Sequence, residues 1–151
     1  MLRCLHRPLL HVVLLVVALV ASSALLSPRA DAMTLSQRER IIHVAASKRG
    51  APYRWGAVGP RSFDCSGFTR WVFAHVGRHL PRTSRAQAAY AHPVRRSHRR
   101  IGDLVFFRSH GRVYHVAIYA GHNMVWHSPR PGRRVGKERL WTSSVTYGRV
   151  G

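Results

Sequence analysis

Beyond residue 33 the apolar positions follow helical spacing first and strand spacing later. Ile41, Ile42, Ala45 and Ala46 recur on one helical face behind Ser36-Gln37-Arg38-Glu39, and Gly50 with Pro52 closes the run. A first helix is predicted there, with Ser36 as N-cap and Glu39 reaching back in a capping box. Residues 51–64 (APYRWGAVGPRSFD) are dense in Gly and Pro and read as a compact loop. Phe68, Trp71, Val72, Phe73 and Val76 give a second helix with a broad apolar face, capped by Asp64 and closed by Gly77. Pro81 breaks the chain, and a short third helix runs to about Tyr90 behind a Ser84-x-x-Gln87 cap. Arg95 to Arg100 read as a solvated loop. After Gly102 the pattern becomes that of strands: Asp103 to Phe107, Val113 to Ala120, a turn at Gly121-His122-Asn123, then Met124 to His127. Residues 135–147 are poorly patterned and leave room for one or two more. Helices followed by an antiparallel meander make an α+β domain, with N-terminal helices packed on an antiparallel β-sheet.

Residues 1–32 have a different character. Arg3 and Arg7 precede an almost unbroken apolar stretch from Leu9 to Leu26, and Ala30-Asp31-Ala32 offers a small-x-small cleavage site. This is the pattern of a signal peptide, which leaves residues 33–151 as the domain. An uncleaved anchor is the competing reading, because the stretch approaches spanning length. His11 within it and Pro28 after it favour cleavage. Export predicts a secreted or cell-wall location, with membrane contact only if the segment is retained.

Charge narrows the partners. The chain has 25 basic and 5 acidic residues. Only Arg3, Arg7, Arg29 and Asp31 lie in the first 32 residues, so the remainder keeps a net charge of +18. Such a surface attracts polyanions, including the anionic polymers of a bacterial wall. The arginines are dispersed rather than interleaved with aromatics on one face, so no specific nucleic-acid partner is indicated.

After Cys4 the only cysteine is Cys65, within Ser62-Phe63-Asp64-Cys65-Ser66-Gly67-Phe68. An unpaired cysteine in an exported domain needs a reason other than a disulfide; a small buried hydrophobe is the bland one. Capping by Asp64 places Cys65 in the first helical turn, where free N–H groups and the helix dipole favour a thiolate. A cysteine nucleophile also needs a base, and the base needs a group to hold its ring. His115 lies inside an apolar strand and is expected to share a face with Val113, Ala117 and Tyr119. His127 lies opposite or diagonal to it across the turn, so the two imidazoles satisfy each other while Cys65 docks against them. Tyr53 carries a hydroxyl close in sequence to Cys65. His43, His75, His79, His92, His98, His110 and His122 fall on expected surface segments. A zinc site built from Cys65, His115 and His127 would use the same ligand types, but no short paired ligand spacing accompanies them. No metal or cofactor is expected.

The segments PYRWG (52–56), FDCSGF (63–68), LPRTSRAQ (80–87), GDLVFF (102–107), HVAIYAG (115–121) and HSPRPG (127–132) together resemble the NlpC/P60 family of papain-like cysteine peptidases. The resemblance implies Cys65 as nucleophile, His115 as base and His127 as orienting residue. It also implies an oxyanion role for Tyr53, and places Asp64 and Ser66 at the pocket for the peptide before the cut. Ala57 and Ile101 depart from the family pattern, where glycine and proline are common. The implied activity is that of a peptidoglycan endopeptidase acting on stem peptides, at the bond between D-γ-glutamate and the diamino acid. Two rival readings remain. One is the same fold acting as an N-acetylmuramoyl-L-alanine amidase or acyltransferase; the other is a non-catalytic basic protein that binds a polyanion or the wall.

Overall fold

The computed structural model describes residues 33–151; the expected signal peptide lies outside the described residues. Helix α1 spans Leu35–Ser47. Its capping box lies two residues upstream of the expected one. Thr34 Oγ1 accepts from the Gln37 N–H at 3.2 Å, and the Thr34 N–H donates to Gln37 Oε1 at 2.9 Å. Arg38 joins Ile41 and Ala45 on the buried stripe of this helix. Its guanidinium pairs with Asp103 and donates to the Ile101 carbonyl, each at 3.1 Å. Asp103 is fully buried and also accepts from Arg149 and from the Arg100 N–H. A buried carboxylate needs such partners to offset its lost hydration. Asp103 thus clamps α1 to the sheet instead of opening the first long strand.

Helix α2 spans Cys65–Ala74 and α3 spans Ser84–Tyr90. Thr83, rather than Ser84, caps α3 by accepting from the Ala86 N–H. Gln87 makes no cap: it is fully buried, donates to the Ser66 and Pro81 carbonyls at 2.9 Å, and accepts from Thr69. Its amide therefore braces the first turn of α2.

Six antiparallel strands follow: β1 His92–Val94, β2 Leu104–Ser109, β3 Arg112–Tyr119, β4 Met124–His127, β5 Gly136–Arg139 and β6 Val145–Arg149. Their order in the sheet is β1-β6-β2-β3-β4-β5. Strand β1 carries Pro93 and sits at the edge, where a missing N–H is tolerated; nothing in its pattern announced it. Both late strands exist, and Arg96–His98 is one exposed 3₁₀ turn within the expected loop.

Alternation divides the sheet residues between two cores. Leu104, Phe106, Val116, Ile118 and Trp126 pack with Phe68, Val72 and Phe73 of α2. Val105, Phe107, Ala117, Tyr119, Val125 and Tyr147 form the other cluster. A bulge interrupts this order: Phe107 pairs with His115 but Arg108 pairs with Val113, which leaves Tyr114 as the extra residue. Val113 therefore turns to the helix side, and His115 does not share its face as alternation alone suggested. The β3–β4 turn carries left-handed His122 (φ 48°) and Asn123 (φ 60°), with Met124 N–H donating to the Gly121 carbonyl. Two such residues suit the twist of a tight hairpin.

Candidate active site

Asp64 holds the helix tip in place. Its Oδ1 accepts from the Gly67 N–H at 2.7 Å, and its Oδ2 accepts from the Gly56 N–H at 3.0 Å. Arg82 forks onto both carboxylate oxygens and donates to Ser66 Oγ at 3.0 Å. Asp64 and Ser66 are thus buried and braced by an arginine just before α3. Gly67 is required for a nearby reason: a Cβ there would lie 2.1 Å from the Ala57 carbonyl oxygen. What approaches Gly67 is the 51–64 loop, so the loop and the first turn of α2 are packed backbone to backbone.

The two imidazoles come from β3 and β4. These strands pair at Ile118↔Trp126 and Tyr119↔Val125, and His115 and His127 lie beyond that ladder. His115 Nε2 and His127 Nδ1 are 2.9 Å apart, both rings are buried, and the contact is diagonal as expected. Cys65 packs with the helix-side core but reaches the N–H of Val116, the residue after His115. The thiol and both rings line one open cavity of about 500 Å³, shared with Tyr53, Trp55, Tyr114, Arg130, Arg133, Glu138 and Trp141 among others. A smaller cavity of about 300 Å³ continues past Cys65 along Asp64, Ser66, Arg82 and Tyr114. All seven histidines assigned to the surface are exposed.

Cross-ties set the cavity walls. Ser128, fully buried, donates to the Phe63 carbonyl at 2.8 Å, which links the residue after His127 to the chain just before Asp64 and Cys65. Tyr53 N–H donates to the Arg133 carbonyl at 2.9 Å, which joins the 51–64 and 128–135 loops in one wall.

The electrostatics differ from the simple helix-tip expectation. Burial pushes the Cys65 thiol above its ordinary pKa, and the Asp64 charge adds to this. The N–H groups of Val116, Ser66 and Cys65 pull the other way without overcoming it. Burial, with His127 beside it, pushes His115 down to about 3. His127 is also lowered by burial, although Glu138 opposes the shift. Burial and the neighbouring Cys65 and Asp64 raise the Tyr53 phenol. Burial thus favours the protonated thiol and the neutral form of both imidazoles.

Three cavity residues gave no sequence signal. Tyr114 stands exposed at the bulge, and Trp141 stacks on Phe107 at 4.3 Å while its ring also lies against His127. Glu138 Oε2 lies 3.4 Å from His127 Nε2, and its other oxygen pairs with Arg133 at 2.8 Å. Tyr114 lies in β3, Glu138 in β5 and Trp141 just after β5, so their meeting depends on a register that only the folded sheet reveals.

A helix-tip thiol and a histidine pair from an antiparallel sheet thus line one cleft. The NlpC/P60 family model matches residues 50–149, and the chain belongs to that family. A Corynebacterium glutamicum (strain R) protein named "Probable endopeptidase" is 46% identical over 84 residues, 54% of this chain and 40% of that protein. A solved NlpC/P60 family protein from Bacillus cereus ATCC 10987 has a TM-score of 0.72 at 33% identity, covering 75% of this chain and 40% of that one. The NlpC/p60 domain of the peptidoglycan hydrolase SagA has a TM-score of 0.68 at 35% identity, covering 76% of this chain and 97% of that one. The chain spans less than half the length of the curated relatives it matches.

Proposed function

We propose that this domain is a cysteine endopeptidase that hydrolyses an amide in peptidoglycan stem peptides, at the D-γ-glutamyl–diamino acid bond. The observation that carries the proposal is the convergence of Cys65, His115 and His127 on one cavity, with the two rings joined at 2.9 Å. The names of the relatives, an endopeptidase and a peptidoglycan hydrolase, support the substrate class.

In this reading substrate carbonyl carbon approaches Cys65 Sγ, and His115 takes the thiol proton as the C–S bond forms. A neutral base and a protonated thiol make this transfer part of the attack rather than a step completed beforehand. The backbone N–H of Cys65 and the Tyr53 hydroxyl stabilise the oxyanion; one such donor is commonly worth about 3 kcal/mol. His115 then returns the proton to the leaving amine as the C–N bond breaks. Water hydrolyses the thioester, which frees the new carboxyl and restores the thiol. Asp64, Ser66 and Arg82 line the adjoining cavity and shape the site for the acyl portion. Neither metal nor cofactor enters these steps. We place the reaction outside the membrane, with residues 1–32 as the export signal and the +18 domain drawn to anionic wall polymers.

The test is mass analysis of fragments released from purified sacculi. A newly free D-glutamate carboxyl supports this bond. A free lactyl group would assign the amidase reaction instead, and no released fragment would leave a wall-binding protein.

A further inference from the structure

Resting on the proposed pairing of Cys65 with His115, we infer that Glu138 is a positioning residue. It holds His127 in the tautomer that leaves one nitrogen of His115 bare for the thiol.

The sheet delivers it to that place. His127 pairs across the β4–β5 ladder with Gly136, and Val125 pairs with Glu138. Glu138 is thus the diagonal neighbour of His127 on one face, and the residue directly opposite has no side chain to intervene. The His127 ring is 1% exposed. Its Nδ1 is engaged by His115. Its Nε2 has no hydrogen-bond partner among the described residues and lies 3.4 Å from Glu138 Oε2. That separation permits attraction but is long for a full hydrogen bond, as contacts in unliganded sites often are. Arg133 occupies Glu138 Oε1, which leaves Oε2 facing the ring.

An ionised carboxylate only accepts hydrogen bonds, so it selects the ring form with a proton on Nε2. Nδ1 of His127 is then a bare acceptor, and His115 Nε2 must donate to it. A neutral imidazole carries one N–H, which leaves His115 Nδ1 as the lone pair for the Cys65 proton. The opposite tautomer would set the buried His127 Nε2 lone pair against a carboxylate oxygen. When His115 gains a proton, positive charge appears on the ring pair, and Glu138 is the acid lying against it. Arg133 and Arg130, also on this cavity, oppose that charge, and Tyr53, Tyr114 and Cys65 complete its titratable lining.

The test uses the full chain and needs no wall substrate. The rate of Cys65 alkylation by iodoacetamide, read at that cysteine by peptide mass, is followed against pH alongside ¹⁵N spectra of the histidine rings. Glu138→Ala is expected to slow alkylation at neutral pH about 10- to 100-fold, the range for one hydrogen bond to a charged group. It should also move the acid limb to lower pH, because losing the carboxylate weakens the rings' hold on a proton, and His127 should lose its uniform Nε2–H signature. Glu138→Gln, whose amide oxygen still accepts from Nε2–H, should fall between. In a His127→Ala background, Glu138→Ala should add less than about twofold, since both act through one ring. Wild-type alkylation in a folded Glu138→Ala protein, a Glu138→Gln protein no faster than Glu138→Ala, or effects that multiply in the double variant, would overturn the role. Sacculi left intact by the wild type would instead remove the peptidoglycan reading, with the alkylation result still deciding Glu138.

Discussion

The hydroxyl of Ser128 donates to the carbonyl of Phe63 at 2.8 Å, across 65 positions of sequence and with no solvent exposure. One neighbour of this bond is His127, and two residues beyond the other is Cys65. The bond therefore fixes the approach of the two halves of the site. Ser128→Ala leaves a buried carbonyl without its donor and should cost about 1–3 kcal/mol of stability, measured by denaturant unfolding. It should also lower kcat more than it raises KM, because the loosened element carries machinery rather than substrate contacts.

His115 and His127 are predicted to be unequal. In the proposed mechanism His115→Ala removes the group that accepts the thiol proton, and activity on sacculi should fall nearly to that of a protein lacking Cys65. His127→Ala leaves the base in place but lets its ring turn, so more activity should remain. Equal residual rates in the two folded variants would contradict these roles.

The buried imidazole also dictates how stability responds to acid. His115 is pushed down to about 3 in the folded protein, against an ordinary value of 6.5. Between those values the unfolded chain binds a proton that the folded chain does not, so stability falls as pH drops through that window. While that difference holds, the slope is about 1.4 kcal/mol per pH unit from this group. Above pH 6.5 it contributes no pH dependence. His115→Gln should flatten the loss between pH 6 and 4 in denaturant titrations, relative to wild type, about as that slope requires.

The charge makes a separate prediction. If the +18 domain is held to the wall by long-range attraction, salt should slow digestion of intact sacculi more than cleavage of a small soluble stem peptide. Equal sensitivity of the two substrates would show that the charge does not deliver the enzyme.

The helix-tip cysteine, the strand histidines and the α+β order were legible because each rests on local signals: a capping aspartate, an apolar run, a turn between strands. The shifts came where distant partners overrode local rules. Arg38 reads as a surface arginine until Asp103 is found buried beneath it. Gln87 reads as a capping residue but serves as a buried brace for the Ser66 carbonyl. The bulge at Tyr114 reverses the face of Val113, which alternation cannot anticipate. The direction of the Cys65 pKa failed similarly: the helix tip is visible in sequence, whereas the burial that outweighs it is not. Glu138 was invisible because its place beside His127 depends on the register of β5 against β4.

The central claim, that the thiol at the α2 tip performs the reaction, is tested most directly by incubating purified sacculi with wild-type protein and with Cys65→Ala. The two proteins are matched by melting temperature. Wild type should release fragments with a newly free D-glutamate carboxyl, and Cys65→Ala should release none above background. Release at the wild-type rate by Cys65→Ala would contradict it.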